Sequence, residues 1–559
     1  MPVQEQAPLP SSDDPLVAGA VQALGGPPGR RARLGERRLL SPVRWLVLLV
    51  LLTSALGFWQ KAPCRTHAWD DEYQYTRACY TDVLALWYAE RLDQGATPYL
   101  DHPVEYPVVI GAAMGLVASV SDVVAEALPG GQVAEARAAL AGAVDGEQAA
   151  AAQAQLERAE GTARARAFYD LTWVLLTACA VVVVVTTARL AGRRRLWDAA
   201  LVAVAPGLLL HASTNWDLLA CALAGLGLLA WARRRPVLAG VLLGLATATK
   251  LYPVLFLVPL LALCWRTRQL RPGLLTAGAL LATGALVTVP VYLASPSYAE
   301  VDGRQVVVAA SPLERLGADG LAALSPHTAA VVDGQGVEGV NGVYRFVELN
   351  ADRPADWDSL HYVLQQTRDQ LGPVHRALAD LVLGPPGADV SHLNTTVALS
   401  TVLVVGLVVL LALRAPRRPR LPQLLFLLVV GFLLANKVWS PQYVLWLLPL
   451  AALARPRWRP FLVWQLTEAA LLFARFYYFV SLPMGADDQT SEGLDGGVFL
   501  LAVCLRDVAL LVLAAFVVRD VLRPEHDVVR ALGDDDPAGG VLDGAPDREA
   551  VPARAVVAG

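Results

Sequence analysis

Residues 216–266 read WDLLACALAGLGLLAWARRRPVLAGVLLGLATATKLYPVLFLVPLLALCWR. Three apolar runs, 216–231, 237–249 and 252–265, are separated first by Arg233–Arg235 and then by a single lysine, Lys250. A helix needs about 20 mostly apolar residues to cross a bilayer, so each run is a membrane helix whose ends extend into interfacial residues. The same pattern continues outward as 43–60, 167–190, 196–213, 273–294, 393–413, 421–436, 441–454, 461–480 and 498–518, twelve candidate spans in all. Composition agrees. The 559-residue chain is 55% hydrophobic and only 17% charged, against about 25% charged in soluble proteins. That disfavours a soluble multidomain enzyme and excludes a disordered or collagen-like chain. A formal net charge of −4 gives no sign of nucleic-acid binding.

The arginines orient the spans. They cluster before the first span (Arg30, Arg31, Arg33, Arg37, Arg38, Arg44) and then in alternate loops, at Arg193–Arg195, Arg233–Arg235, Arg266/Arg268/Arg271, Arg414/Arg417/Arg418/Arg420 and Arg455/Arg457/Arg459. Short loops rich in arginine stay cytoplasmic. Twelve spans with both termini inside put every cluster there. A thirteenth apolar stretch, 107–121, would reverse that pattern. It is short and holds Pro107, Gly111 and Gly115, so it reads as a helix lying at or dipping into the outer face. The expected fold class is therefore an all-α polytopic membrane protein, a bundle of about twelve helices over 41–520. Its two long external loops are 61–166 and 295–392, and the stretch 132–166 reads as a solvated helical insertion. The polar tails, 1–40 and 521–559, read as disordered, and no cleavable signal is apparent.

Cys64 and Cys79 fall in the first external region, where a disulfide is chemically allowed. Cys179, Cys221, Cys264 and Cys504 lie within spans as small hydrophobes. No CxxC or His/Cys cluster suggests a metal.

The chemistry concentrates after the first span, where residues 69–111 read WDDEYQYTRACYTDVLALWYAERLDQGATPYLDHPVEYPVVIG. Carboxylates interleaved with aromatic rings suit sugar recognition, because acids bond hydroxyls while rings cover a sugar's apolar face. Asp82 opens the apolar stretch 83–89 and is expected to cap a helix there. Only three of the 46 basic residues are lysines, Lys61, Lys250 and Lys437, and all three map opposite the arginines. Lys250 can hold a phosphate as a point charge or snorkel to headgroups. Snorkelling is the reading for Lys61. The short outer loop 213–217 adds Asn215 and Asp217. Glu468 and Arg506, within spans eleven and twelve, read as an interhelical ion pair.

Tyr80-Thr81-Asp82, 95–99 and Glu105-Tyr106-Pro107, followed by Asn215-Trp216-Asp217, Gly240–Gly244, Lys250-Leu251-Tyr252-Pro253 and Ser440-Pro441, resemble the ordered motifs of the family 87 glycosyltransferases. The likeness runs discontinuously from about residue 43 to 518. It implies a GT-C-like helical bundle in a bacterial plasma membrane. The implied reaction moves mannose or arabinose, with inversion, from a polyprenyl-phosphate sugar to a lipid or glycan acceptor at the outer face. No cofactor or metal is implied beyond that donor. Asp82 matches the family's acidic position and would be the general base, with Asp70 and Asp71 as rivals. Lys250 would neutralise the leaving phosphate and Tyr252 would help place it. The remaining candidates for donor or acceptor contact are Asn215, Asp217, Tyr99, Asp101, His102, Glu105, Tyr106, Lys437, Gln442, Tyr443 and Arg353. Some relatives carry histidine in the motif after Ser-Pro, where this chain has Gln442-Tyr443, and glutamine is neither acid nor base. The segment 344–362 adds Asn350, Asp356, Trp357 and Ser359 as polar candidates. The competing class is a twelve-helix secondary transporter or lipid-linked sugar flippase. The oligomeric state stays open.

Overall fold

The computed structural model describes residues 41–66, 73–128, 130–482 and 493–547. The apolar stretches are helical except 196–213, which breaks into short helical turns. The helices that position the site are α1 (Pro42–Thr66), α2 (Asp82–Ala89), α3 (Val108–Ala127), α4 (Gly131–Ala141), α5 (Gly146–Leu190), α6 (Asp217–Ala232), α7 (Pro236–Thr249), α8 (Leu257–Arg266) and α9 (Leu270–Ala294). After the second external region come α10 (Val390–Arg414), α11 (Leu421–Ala435), α12 (Val444–Ala454), α13 (Trp458–Val480) and α14 (Gly496–Leu522). Among the described residues, α1, α3, α5, α9, α10 and α14 are long and apolar enough to cross a membrane.

The shorter helices are cut by their sequences. Pro236 opens α7 directly after the arginine triplet, and Pro253 turns the chain between Lys250 and α8. The stretch 196–213 breaks into short turns and restarts at Pro206. Proline removes a backbone donor and resets the helix. Small residues then allow close approach. A Cβ on Gly240 would lie 2.3 Å from the Thr276 carbonyl oxygen, and one on Gly244 2.7 Å from that of Leu280. This GxxxG spacing presses α7 against α9, so these two glycines serve packing.

The stretch 107–121 belongs to a longer helix than expected, the 20-residue α3. Its first turn follows Tyr106, and its far end carries Asp122, 3.8 Å from Arg164 of α5. The Ala-rich stretch forms α4 and the exposed first half of α5, tied by Arg137 to Glu160 at 2.9 Å. Asp145 caps α5 by accepting from the Gln148 N–H at 2.8 Å.

Two expectations are overturned. The chain is not all-α: the long stretch between α9 and α10 carries a four-stranded antiparallel sheet, ordered β2-β1-β4-β3, of β1 (Ser297–Val301), β2 (Arg304–Ala309), β3 (His327–Val332) and β4 (Gln335–Asn341). Each hairpin turns on an Asp-Gly pair with positive φ, 49° and 71° at Asp302-Gly303 and 50° and 79° at Asp333-Gly334. That is the two-residue turn whose twist matches paired strands. The hydroxyls of Ser295 and Tyr298 then donate to the Tyr99 and Leu100 carbonyls at 2.7 and 2.6 Å, fastening the sheet to the first external region.

The second overturned expectation is disorder over 523–547, the described part of the 521–559 tail past α14. Residues 523–547 pack across the arginine-bearing ends of the helices. Asp527 accepts from Arg420 at 2.7 Å and Asp547 from Arg266 at 2.7 Å. The Asp536 carboxylate accepts the Leu421 N–H at 2.8 Å, and Asp535 pairs with Arg418. Ala538 and Leu542 are buried beneath. The polar composition that suggested disorder is a set of aspartates matched to arginines. Residues 1–40 and 548–559 lie outside the described residues.

Candidate active site

Asp82 begins α2, but Thr81 caps it. The Thr81 hydroxyl accepts the Val83 N–H at 3.2 Å and donates to the Ser213 carbonyl at 2.7 Å. The expected capping role of Asp82 is thus filled by its neighbour, and the Asp82 carboxylate is left to other partners. Its backbone N–H donates to the Thr214 carbonyl at 2.8 Å. Val83, Leu84, Leu86 and Trp87 bury the apolar side of α2, with Trp87 4.8 Å from the Phe168 ring. Each such side chain stabilises the packing by about 1.5–3 kcal/mol, which fixes the helix start that carries Asp82. A Cys64–Cys79 disulfide joins the end of α1 to the same segment, as the cysteine placement allowed.

The Asp82 Oδ2 accepts from Asn215 Nδ2 at 2.7 Å and from Gln442 Nε2 at 3.4 Å. The same Asn215 amide donates to the Tyr106 hydroxyl at 2.7 Å. Burial, and then the Asp82 charge, raises the pKa of Tyr106, so its phenol stays protonated. Tyr80 is raised in the same way, by burial first and Asp82 second.

Asp82 lies on the boundary of two cavities. The larger, about 510 Å³, is lined on its polar side by Glu105, Tyr106, Lys250, Arg353, Lys437 and Gln442. Tyr252, Tyr443 and Trp446 form an aromatic wall, with Trp446 4.3 Å from Tyr252 and 4.0 Å from Tyr443 in stacked geometry. The Lys250 ammonium stands 3.6 Å from Asp217 Oδ1, 4.7 Å from the Tyr106 ring centre and 5.7 Å from that of Tyr443. Asp217 is fully buried and also accepts from the Trp446 indole at 2.7 Å. It holds Lys250 from behind. The Lys437 ammonium donates to the Ala351 carbonyl at 2.8 Å.

The smaller cavity, about 160 Å³, has Lys61, His211 and Arg475 beside Asp82, with Tyr75, Tyr80, Phe476 and Phe479 as aromatic walls. Lys61 was not expected here. It is 1% exposed and donates to the Tyr80 carbonyl at 2.7 Å, so it does not snorkel. The signal for it was present: three lysines on one side of the sequence map all line the two cavities that Asp82 borders.

Several candidates are placed elsewhere. Asn215 and Asp217 stand behind the cavity walls and orient Asp82 and Lys250. The Tyr99 hydroxyl donates to the Tyr106 and Pro107 carbonyls, holding the turn that presents Tyr106. Asp101 accepts the Thr97 N–H at 2.8 Å within an exposed turn. His102 Nδ1 lies 2.8 Å from the Pro103 carbonyl and 3.4 Å from Glu90. These three do not line either cavity, because the 97–102 turn folds them back on themselves. Tyr252 contributes its ring, while its hydroxyl points away to Cys221 Sγ at 3.6 Å. Asp70 and Asp71 lie outside the described residues.

Among the described residues the expected Glu468–Arg506 pair is replaced by a network through Asp358, in the stretch between α9 and α10. Arg475 bonds the Asp358 carboxylate at 2.8 Å, and Arg506 donates to the Asp358 carbonyl and the Asp507 carboxylate, each at 2.6 Å. Glu468 accepts instead from Trp464 of its own helix at 2.8 Å. Among the described residues no cluster of metal-ligating side chains occurs.

A largely helical membrane protein with a carboxylate between two polar cavities defines the class. Residues 161–301 match the family model of glycosyltransferase family 87, which indicates a membrane glycosyltransferase. The matched segment carries Asn215, Asp217 and Lys250 and the Gly240–Gly244 crossing, whereas Asp82 and Gln442 lie outside it. No curated protein matches the chain.

Proposed function

We propose that this protein transfers a sugar, mannose or arabinose, from a polyprenyl-phosphate donor to a lipid or glycan acceptor at the outer face of a bacterial plasma membrane. The observation that carries the reading is Asp82 on the boundary of two cavities, with Lys250 facing the larger. The donor phosphate enters the larger cavity, where Lys250 and Arg353 offset its charge and Tyr443 and Trp446 cover the sugar. The acceptor hydroxyl approaches from the smaller one. Asp82 takes its proton as the oxygen attacks the anomeric carbon, and the anomeric bond to phosphate breaks with inversion. The phosphate leaves with the bonding electrons, and the Lys250 ammonium stabilises that charge as it grows. No metal is required by this scheme.

The contacts of α3 support its lying along the outer face. Its start adjoins Tyr106 at the site, and its Asp122 meets Arg164, which precedes Phe168 by about one turn of α5. A crossing helix would carry that end to the arginine side. The tail 523–547 on the arginines supports a cytoplasmic C-terminus.

The test uses purified protein with radiolabelled polyprenyl-phosphomannose and polyprenyl-phosphoarabinose, followed by mass analysis of the product. Transfer of one sugar by wild type, reduced roughly 10²–10⁴-fold in Asp82→Asn, is expected for a general base. Full transfer by Asp82→Asn removes Asp82 from the chemistry. Vectorial movement of the lipid-linked sugar without a new glycosidic bond favours the flippase class.

A further inference from the structure

Lys61 ends the first long helix, 1% exposed, in a chain that otherwise uses arginine almost everywhere. We propose that Lys61 is a positioning residue for Asp82: its ammonium, held across the smaller cavity by the Tyr80 carbonyl, keeps that carboxylate ionised and ready to accept a proton. This rests on the reading of Asp82 as the base.

The groups around Asp82 lead to this assignment. Among the described residues, the neutral amides of Asn215 and Gln442 donate to it, and the Tyr80 hydroxyl hydrogen-bonds it as well. Tyr80 and Tyr106 face it as neutral phenols, both raised by burial and by Asp82 itself. Glu105 lines the larger cavity, and Asp217 stands behind its wall. Tyr75 and His211 line the smaller cavity, and the His211 Nδ1 has no hydrogen-bond partner among the described residues. Among the described residues five cations remain: Lys61, Arg475, Lys250 and, across the larger cavity, Lys437 and Arg353. Arg475 is paired to Asp358 at 2.8 Å and Lys250 to Asp217 at 3.6 Å. Their charges are largely offset by those carboxylates. Lys437 also donates to a neutral carbonyl, but across the larger cavity, whereas Lys61 lines the smaller cavity beside Asp82 and donates to the neutral Tyr80 carbonyl, so its charge is left to act on Asp82. A cation acting through a small, partly apolar cavity is screened far less than one in water. Arginine would place a broader, forked cation on the aromatic wall, whereas lysine offers a compact point charge.

The experiment reads Asp82 directly. Infrared difference spectra of the full-length protein, titrated over pH, report the carboxyl C=O stretch that Asp82→Asn removes. In Lys61→Met and Lys61→Gln the protonation midpoint of that band is expected to rise by about one pH unit or more, the usual effect of losing a nearby opposite charge. Lys61→Arg is expected to return it toward wild type. Gln keeps a donor for the Tyr80 carbonyl and guards against a variant that fails to fold. An unchanged midpoint in folded Lys61→Gln overturns the proposal. The acid limb of the transfer rate, measured with the two polyprenyl-phosphate sugars, should move by the same amount. A shifted band with no transfer at any pH would refute the transferase reading while leaving the Lys61–Asp82 coupling intact. Transfer with an unshifted band would do the reverse.

Discussion

At the arginine end of the bundle, Arg420 is 2% exposed, meets Asp527 at 2.7 and 3.1 Å and donates to the Leu453 and Ala454 carbonyls. At the lysine end, Lys250 is also buried, yet it stands 3.6 Å from Asp217 and faces a cavity of about 510 Å³. Both ends bury charge, but they satisfy it differently. Each Arg420 nitrogen has an acceptor, and the tail closes over it. Around Asp82 the carboxylate meets neutral amides and the cations look across open space. Saturated charge fixes a surface in place, whereas charge left partly unanswered can still respond to a ligand.

Substitutions at the two ends should therefore fail in different assays. The largest effect belongs to Asp82→Asn, whose loss of transfer should come with an unchanged melting temperature. An equal fall in stability would erase the distinction between the ends. Next is Asp527→Ala, which strands the Arg420 guanidinium in a buried site. Breaking one partner of a buried pair costs about 3–5 kcal/mol. Its thermal unfolding in detergent should shift sharply, while the surviving folded fraction keeps its KM for donor. Lys250→Ala should weaken polyprenyl-phosphate binding by roughly tenfold or more, since a hydrogen bond to a charged group is worth about 1.5–3 kcal/mol. Lys250→Arg should weaken it less. Equal affinity in both would show that the cavity does not read the phosphate through this residue.

The smallest effect concerns Asp536. Burial pushes its carboxyl up to about 6, despite the Leu421 N–H and the arginines nearby. A raised folded pKa means the native state binds the extra proton below about 6. This group therefore adds stability as pH falls from about 6 toward the ordinary carboxyl value near 4. Above 6 the buried carboxylate is a standing cost. Asp536→Asn should flatten that part of the melting curve between pH 7 and 5 and leave transfer untouched.

How much of this was legible before the structure differs between the ends. The helices were readable because apolar runs and arginine spacing are local signals. Asp82, Lys250, Gln442 and Tyr443 were readable because acids, rings and a rare lysine stand out in greasy surroundings. The sheet was missed although its two Asp-Gly turns were in plain sight, since the strands between them are short and mixed. The tail was missed because aspartate, glycine and proline look disordered until their arginine partners are placed 107 to 281 residues away. Lys61 was misread for the same reason: nothing local says that the end of α1 comes to rest beneath Tyr80. Asn215 and Asp217 were found but misassigned, because spacing identifies polar residues without saying which side of a cavity wall they occupy.

The short helices have a consequence for kinetics. With 16 and 14 residues, α6 and α7 rise about 21–24 Å, less than the ~30 Å of a bilayer's hydrocarbon core. On the proposed reading, with the arginine ends of α6 and α7 at one headgroup plane, Lys250, at the end of α7, would sit below the other. A lipid-borne donor of the proposed kind would leave that plane and slide sideways into the depression. The enzyme would then respond to the mole fraction of donor in the bilayer rather than to its bulk concentration, and diluting the donor with inert lipid at constant total amount should slow it.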